Sequence, residues 1–226
     1  MTASRAGVSN ASCADGQPPW AEYRQAVVGD TISLKIPITL ANGHEIGLLV
    51  AVSNATLARN DVIDAFTRWR TTYGRFFLTQ FTPTQGRTRN WLKAILADKR
   101  RMLFTIHTGD SLVGHYGFRD LHEGTAEVDN LLRGERGGHP GLMQATVLAL
   151  SHWLFTRLDV HTVFGNILAD NSLALKLHTD AGFTLGERRP LTLIHGEHEN
   201  RWMVGPPGGE SPHNKFYQQV LLQSRP

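Results

Sequence analysis

Several residue types and sequence patterns that define large protein classes are scarce in this 226-residue chain. Its single cysteine, Cys13, excludes an intramolecular disulfide and lies in a polar segment where no base could be held to make it a catalytic thiol. No apolar run approaches the roughly 18 residues of a membrane-spanning helix, and residues 1–30 lack the continuous apolar centre of a signal peptide. We therefore expect a soluble, cytoplasmic protein with no membrane partner.

Charge of one sign is also in short supply. Lys and Arg number 23 against 20 Asp and Glu, for a formal net charge of +3, and apart from short runs at 99–101 and 188–189 the cations are scattered. Such a weak, dispersed excess argues against a nucleic-acid partner. The chain also lacks a Gly-x-Ser-x-Gly turn for a nucleophilic serine and a Gly-Lys-Ser/Thr phosphate loop, which disfavours serine hydrolases and P-loop nucleotide hydrolases.

The length and the 41% hydrophobic content suffice for one sizeable core. Residues 1–29 are small and polar and include a Pro-Pro pair, so we expect a disordered leader there. A single folded domain is predicted over residues 30–204. The run Gly-Pro-Pro-Gly-Gly from residue 205 predicts its end, followed by a tail over 205–226 with one short helix at 216–223.

Hydrophobic periodicity predicts the order of the elements. Alternating apolar residues from 32 to 40, then Asn42-Gly43 and a second run at 45–52, indicate a hairpin with a two-residue turn. The remaining predicted elements are helices at 60–73 and 88–99, a meander of strands at 102–108, 112–121 and 126–132, a helix at 141–158, a strand at 160–167, a helix from 171, and a hairpin of 183–194 with 201–204. The strand–helix–strand unit after the meander predicts a parallel strand pair.

Two glycine-containing segments adjoin predicted helices. Asn171 can cap the helix that ends at Gly182, because asparagine accepts from free amides and glycine tolerates the left-handed stop. The turn at 133–141 lies between a strand and a long helix, where backbone amides and the helix dipole form a ready anion site. Because this turn follows a meander instead of opening a βαβ repeat, it does not indicate a Rossmann dinucleotide site.

These segments resemble the signatures of the GNAT acyltransferase superfamily. Asn171, Ala174, Leu177, Gly182 and Phe183 match its pattern Asn-x-x-Ala-x-x-Leu-Tyr-x-x-x-Gly-Phe, with histidine at the tyrosine position. The turn aligns with the family's pyrophosphate loop, but His139 stands at a signature glycine and Pro140 removes one amide donor. The resemblance implies an α/β (α+β) GNAT-like fold: a mixed, mostly antiparallel twisted sheet with a central parallel strand pair and flanking helices.

The resemblance also assigns roles to individual residues. Glu127 and Asp129 are separated by one residue in a predicted strand, so both face the same side unless a bulge intervenes. Glu127 is expected to deprotonate an ammonium acceptor, with Asp129 as the second candidate if a bulge reverses their facing. His178 replaces the tyrosine that protonates the leaving thiolate. The implied coenzyme A contacts are Asn130, Leu131, Leu132, Arg133, Arg136, Gly137, Gly138, His139, Gly141, Leu142, Asn166, Asn171 and Lys176.

The function implied is direct transfer of an acetyl or related acyl group from acyl-CoA to a primary amine. Residues 126–134 and 140–143 resemble members that act on small molecules in amino-sugar or natural-product pathways. Two alternatives stay open: a donor carried by an acyl carrier protein or an aminoacyl-tRNA, and a non-catalytic acyl-CoA-binding module. A homodimer is also left open. No metal is expected, because His195 and His198 lie in a predicted polar turn without a scaffold for three ligands.

Overall fold

The computed structural model of the chain describes residues 19–224. The helices within this range are α1 (Trp20–Val28), α2 (Asn54–Ala58), α3 (Asn60–Tyr73), α4 (Gln85–Ala97), α5 (Leu142–Arg157) and α6 (Ser172–Asp180). The strands are β1 (Lys35–Thr39), β2 (Glu45–Ala51), β3 (Thr79–Gln80), β4 (Met102–Thr108), β5 (Ser111–His122), β6 (Thr125–Arg133), β7 (Thr162–Leu168), β8 (Thr184–His195), β9 (Asn200–Val204) and β10 (Phe216–Gln223).

The strands form one sheet in the order β1-β2-β4-β5-β6-β7-β10-β8-β9-β3. Within the described residues, the β6–β7 pair is parallel and the other pairs are antiparallel. The predicted fold class, a mostly antiparallel sheet with a central parallel pair and flanking helices, is therefore confirmed.

Helices cover both faces of the sheet. On one face α1, α5 and α6 pack around buried residues that include Phe104 of β4 and Leu150 of α5. On the other face α3 and α4 pack around Phe66, Leu92 and Leu103. Leu103 and Phe104 belong to different cores because successive side chains of a strand point to opposite faces.

The two helices after the first hairpin follow the predicted periodicity. α3 has the predicted bounds and buries Val62, Phe66 and Trp69 on one face. α4 begins three residues earlier than predicted, because the Thr84 hydroxyl accepts a hydrogen bond from the Arg87 amide at 3.2 Å and caps the first turn.

The first hairpin closes differently from the prediction. The Leu40 amide donates to the His44 carbonyl, and the Gly43 amide donates to the Leu40 carbonyl, both at 2.9 Å. Residues 41–43 therefore form a three-residue loop, with Gly43 in the left-handed region at φ 81°. This is a type I turn followed by a left-handed residue, so the predicted two-residue turn is wrong by one residue.

Part of the predicted leader is a helix. In α1, the guanidinium of Arg24 is buried and donates to the carbonyls of Ile95 and Leu96 at 3.0 Å and of Arg101 at 2.7 Å. Ile95 and Leu96 lie at the end of α4, where a cation satisfies free carbonyls and the helix dipole. The prediction of a disordered leader is therefore wrong for residues 20–28, and residues 1–18, with Cys13, lie outside the described residues.

The C-terminal segment also differs from the prediction. Residues 216–223 form strand β10, not a short helix, and β10 lies between β7 and β8 with antiparallel partners on both sides. Val220, at its centre, is fully buried. A short apolar run does not distinguish helix from strand, and the unpaired edges of β7 and β8 decide in favour of the strand. The predicted hairpin of β8 with β9 is present beside it.

Candidate active site

The parallel strands separate at the centre of the sheet. Residues 125–128 of β6 pair with residues 162–165 of β7, and beyond this point the two strands are no longer paired with each other. At the same place Asn130 takes a positive φ of 55°, and the register of β6 against β5 shifts between His115 and Gly117. A bulge therefore opens a gap beside Asn130, after the two predicted catalytic acids.

The bulge leaves both acids on one face of β6. Glu127 pairs with Arg119 across the ladder and Asp129 pairs with Gly117 in unbroken register. The predicted common facing of Glu127 and Asp129 is therefore present, because the irregularity begins only at Asn130.

Glu127 is buried and fully hydrogen-bonded. Its Oε1 accepts from Arg119 Nη2 at 2.8 Å and from Asn166 Nδ2 at 3.0 Å, and its Oε2 accepts from Arg119 Nε at 3.0 Å. Bidentate pairing with an arginine places a donor on each oxygen of the carboxylate. Neither oxygen of Glu127 is therefore without a hydrogen-bond donor.

Asp129 differs from Glu127 in having one free oxygen. Its Oδ2 accepts from Arg101 Nη2 and from Asn130 Nδ2, both at 2.7 Å. Its Oδ1 is buried and has no hydrogen-bond partner within the described residues. Burial raises the pKa of Asp129, although Arg101 and Arg119 act in the opposite direction.

The two acids and two arginines form a compensated group, here called the acid–arginine cluster: Arg101, Arg119, Glu127 and Asp129. Two guanidinium charges balance two carboxylate charges, and Arg119 Nε also lies 3.9 Å from Asp129 Oδ2. The sequence predicts that the two acids attract a cationic acceptor. In the structure, the charges of Glu127 and Asp129 are already balanced by those of Arg101 and Arg119.

His178 lies on α6 and is not hydrogen-bonded to either acid. Its Nδ1 lies 2.8 Å from the Ala174 carbonyl, to which only an N–H can donate, and its ring packs edge-on against Phe183 with 5.1 Å between centroids. Burial lowers the pKa of His178. The neutral tautomer fixed by this bond carries its proton on Nδ1 and leaves Nε2 as an acceptor.

The glycine-rich turn after β6 is fixed by side-chain hydrogen bonds. Arg133 donates to the Gly137 carbonyl, and Glu135 accepts from Trp69 Nε1 at 2.8 Å. Gly137 and Gly138 take φ values of 116° and 72°, which glycine adopts without strain. A cleft of about 380 Å³, lined by Tyr73 and residues 133–136, opens beside the turn.

The turn presents unpaired donors to solvent. His139 occupies two amides, because its Nδ1 accepts from the Gly141 amide and its carbonyl accepts from the Leu142 amide, both at 3.0 Å. Within residues 19–224, no protein acceptor meets the amides of residues 136–139, and the exposed Arg136 has no ion-pair partner. Amides without a protein acceptor and an exposed guanidinium beside a helix start are groups that can hold an anion, although Pro140 has no amide to donate.

The other residues implied in coenzyme A binding make different contacts in the structure. Asn166 contacts Glu127, Asn171 caps α6 through its Oδ1 at 3.2 Å from the Ala174 amide, and exposed Lys176 pairs with Asp180 at 2.9 Å. Leu132 and Leu142 are buried in the two cores and Leu131 is half-buried. The structure thus gathers Glu127, Asp129, Asn130 and Asn166 at the strand separation, and the turn residues at the start of α5.

Sequence reasoning missed the basic half of the cluster. Folding the predicted meander about the turn at 122–125 would bring Asp120 opposite Glu127, and a register shift between Arg119 and His122 brings Arg119 there instead. Arg101 gave no signal either, because it lies just before β4, which is separated from β6 by β5. The hydroxyl of Tyr116 was also missed; it is buried without a partner in the described part of the chain, and burial raises the pKa of Tyr116.

Residues 19–224 contain no candidate metal site and no candidate membrane-spanning helix. Across this range no three His, Cys, Asp or Glu side chains converge as a metal site requires. The described helices include none that is both long and apolar enough to cross a bilayer.

Solved acetyltransferases share the fold at low sequence identity. An enzyme from Salmonella typhimurium that modifies the N-terminal serine of a 50S ribosomal subunit protein is 14% identical, with a TM-score of 0.59 over 85% of this chain and 100% of the other. A probable GNAT acetyltransferase from Chromobacterium violaceum is 14% identical, with a TM-score of 0.61 over 99% and 96%. Spermidine N-acetyltransferase from Vibrio cholerae, with CoA and spermine bound, is 11% identical, with a TM-score of 0.57 over 78% and 95%.

No curated protein is significantly similar to the chain in sequence. Residues 55–184, more than half of the chain, match the model of the acetyltransferase (GNAT) domain. This range includes the strand separation, the glycine-rich turn and the Asn171 helix. The chain therefore belongs to the GNAT family of acetyltransferases.

Proposed function

We propose that this protein transfers an acetyl or related acyl group from acyl-CoA directly to the primary amine of a small molecule. The observation that carries the proposal is the proximity of two features along β6. A carboxylate with a free oxygen lies at Asp129, and a turn with four free amides follows a few residues later. Amine deprotonation and pyrophosphate binding require such groups at neighbouring sites.

Coenzyme A would be held by the turn and the start of α5. Arg136 and the amides of residues 136–139 are free to bind its pyrophosphate, and Gly138 keeps the turn close to β4, since a Cβ there would lie 2.7 Å from Thr108 Cγ2. The bound thioester supplies an acyl carbon that an amine attacks without a covalent enzyme intermediate. The amide of Asn130, which its positive φ takes out of the ladder, is the proposed donor to the acyl oxygen.

Asp129 is the better candidate for the base. A base must offer a free lone pair to the amine proton, and its efficiency rises as its pKa approaches the working pH. Asp129 Oδ1 is unpaired and burial raises the pKa of this carboxyl, whereas both oxygens of Glu127 are bound by Arg119 and Asn166. Glu127 then serves to hold Arg119 beside Asp129.

His178 is proposed to shape the thiol end of the donor site without protonating it. A neutral imidazole with its proton on Nδ1, bound to Ala174, has no proton on Nε2 to give. A thiol with a pKa near 8.5 is already a fair leaving group near neutral pH, so no strong acid is needed.

The proposal is tested by incubating the protein with a panel of acyl-CoA donors and primary amines, with products read by mass spectrometry. We expect a mass increase of the amine that depends on acetyl-CoA or a close homologue. Calorimetric titration with coenzyme A, without an acceptor, gives an independent measure of donor binding. Binding without transfer to any amine would favour the non-catalytic acyl-CoA-binding module.

One observation favours a second donor class. His139 and Pro140 together remove amide donors from the turn, so part of the phosphate cradle is missing. A pantetheine arm on an acyl carrier protein needs fewer of these contacts. Transfer from an acylated carrier protein, with no calorimetric binding of free coenzyme A, would select this alternative.

A further inference from the structure

We propose that His115 is a positioning residue for acyl transfer, and that it acts by holding the backbone carbonyl of Asn130. The Nδ1 atom of the His115 ring lies 2.6 Å from this carbonyl oxygen. The inference rests on the proposed function, because the amide of Asn130 is the proposed donor to the acyl oxygen.

The bulge in β6 takes Asn130 out of regular strand pairing. Residues 115 and 117 of β5 lie opposite residues 132 and 129 of β6. Two residues of β6, Asn130 and Leu131, therefore face one residue of β5, Tyr116. On the other side of β6, the pairing with β7 ends at residue 128. The backbone groups released by the bulge need hydrogen-bond partners from outside the ladder.

His115 supplies such a partner from a rigid setting. A carbonyl oxygen only accepts, so the Nδ1–H of the ring is the donor. The ring is buried and lies against three aromatic side chains, with centroid distances of 4.8 Å to Phe66 and 6.0 Å to both Trp69 and Trp91. Burial lowers the pKa of His115 to about 4, so the ring is neutral at neutral pH and its one proton lies on Nδ1.

Glycines on either side of His115 bring the ring close to the bulge. A Cβ at Gly114 would overlap the Leu132 carbonyl of β6, and a Cβ at Gly117 would overlap the Met102 carbonyl of β4. Glycine permits this close approach of one backbone to another. The segment 114–117 of β5 is therefore held tightly between its two neighbouring strands.

Asn130 is fixed at two points. Its carbonyl accepts from His115, and its side-chain Nδ2 donates to Asp129 Oδ2 at 2.7 Å. Its φ of 55° lies in the left-handed region, which a residue other than glycine occupies at a cost in free energy. Without the His115 bond, the backbone can relax toward an extended strand, and the Asn130 amide would turn back toward the ladder.

The chemistry of acyl transfer gives this fixed backbone its importance. Negative charge develops on the acyl oxygen as the amine attacks, and a donor stabilises this charge best when its position is set beforehand. The proton of the neutral His115 ring is already used by the Asn130 carbonyl. His115 therefore acts through Asn130 and not by direct contact with the acyl group.

The first test follows the thioester carbonyl of acetyl-CoA, labelled with carbon-13, by infrared difference spectroscopy. A hydrogen bond to this carbonyl lowers its stretching frequency, so the wild-type complex should give a band below that of acetyl-CoA in solution. His115→Phe keeps a buried ring but loses the donor, and its band should move back toward the solution frequency. The measurement requires no acceptor.

Two amide variants test the position of the donor. His115→Asn places an amide N–H near the position of Nδ1, whereas His115→Gln places it near that of Nε2. We expect the asparagine variant to keep the lowered frequency and the glutamine variant to lose it. This pair also serves if His115→Phe proves unfolded in thermal melting. Equal bands from the two amide variants would overturn the inference.

The same variants are compared in turnover, with release of thiol from acetyl-CoA measured for the panel amine that is acylated fastest. In His115→Phe and His115→Gln, kcat should fall by about 10- to 100-fold, while calorimetric affinity for coenzyme A stays unchanged. His115→Asn should recover most of kcat. A loss of coenzyme A affinity in place of a loss of kcat would contradict a positioning role.

Trp91→Phe is the control for general loosening of the aromatic cluster. The Trp91 ring packs against His115 from α4, and its replacement should lower stability but leave the infrared band and kcat unchanged. An equal loss of kcat in Trp91→Phe, at equal folded fraction, would overturn the inference. So would a wild-type band at the solution frequency, or an unchanged band in His115→Phe. A lowered band that His115→Phe abolishes, in a protein that acylates no amine, would retain the role of His115 and reject the proposed function.

Discussion

At the scale of single residues, two carboxylates on one strand are made chemically different by their hydrogen bonds. Glu127 has every oxygen bound, while Asp129 retains one free oxygen in a buried setting. Sequence alone identified both acids and their common face. It ranked Glu127 first, whereas the order proposed from the structure depends on Arg101, just before β4, and Arg119 of β5, which hydrogen-bond to the acids.

Asp129→Asn is expected to lower kcat by about 100- to 10,000-fold at neutral pH, with coenzyme A affinity unchanged. A base works deprotonated, so wild-type kcat should rise with pH through the pKa of Asp129, which burial raises above its usual value near 3.9. This limb should be missing from the variant. A wild-type pH–rate profile in Asp129→Asn would remove Asp129 from the reaction.

Glu127→Gln is expected to act mainly on stability. It leaves Arg119 without its bidentate partner, and the free energy of unfolding should fall by about 1–3 kcal/mol in urea titration. The residual kcat should exceed that of Asp129→Asn. A larger loss of kcat in Glu127→Gln than in Asp129→Asn, at equal folded fraction, would reverse the assignment of the base.

His178→Phe should fold and retain turnover within about tenfold of wild type. The ring is buried edge-on against Phe183 and donates to Ala174, so phenylalanine preserves the packing and loses one hydrogen bond. Because the thiolate leaves readily, little acid catalysis is at stake. Release of free thiol from acetyl-CoA measures the rate, and complete inactivation with intact donor binding would contradict this role.

Arg136→Ala should weaken coenzyme A binding by about 1.5–3 kcal/mol, the range for a hydrogen bond to a charged group. Arg136 is exposed and unpaired in the described structure, so its removal should not affect folding. Calorimetry on Arg136→Ala and on Lys93→Ala, a matched loss of charge far along the chain, gives the comparison. Equal affinities in the two variants would place Arg136 outside the donor site.

At the scale of elements, prediction succeeded where a helix or strand carries its own periodicity. α3 was predicted with its observed bounds, because its buried face repeats over several turns. α1 and β10 were missed because each is defined by a distant partner: α1 by the end of α4, and β10 by the edges of β7 and β8. Sequence periodicity does not contain such information.

Arg24→Met should lower the free energy of unfolding by about 2–4 kcal/mol, because it leaves the carbonyls of Ile95, Leu96 and Arg101 without their donor. Urea denaturation measures the loss. Arg100→Met, whose exposed pair with Asp120 at 3.7 Å is weak, should change stability by less than about 0.5 kcal/mol. Similar values for both variants would mean that α1 does not support α4.

At the scale of the whole molecule, the order of elements and the sheet class were predictable, and family membership of residues 55–184 agrees with them. The candidate donor turn was predicted as a segment, because its parts are contiguous in sequence. The acid–arginine cluster was not, because its members come from β5, β6 and the residue before β4, which are brought together only by folding.

The position of β10 has a consequence for how the protein is made. Chains fold from the N-terminus during synthesis, and β1, β2 and β4 through β7 can pair as they appear. β8, β9 and β3 then wait as a separate ribbon, with no hydrogen-bonded connection to β7 until residues 216–223 insert between them. The two halves of the sheet are thus joined by β10, which follows both of them in the chain.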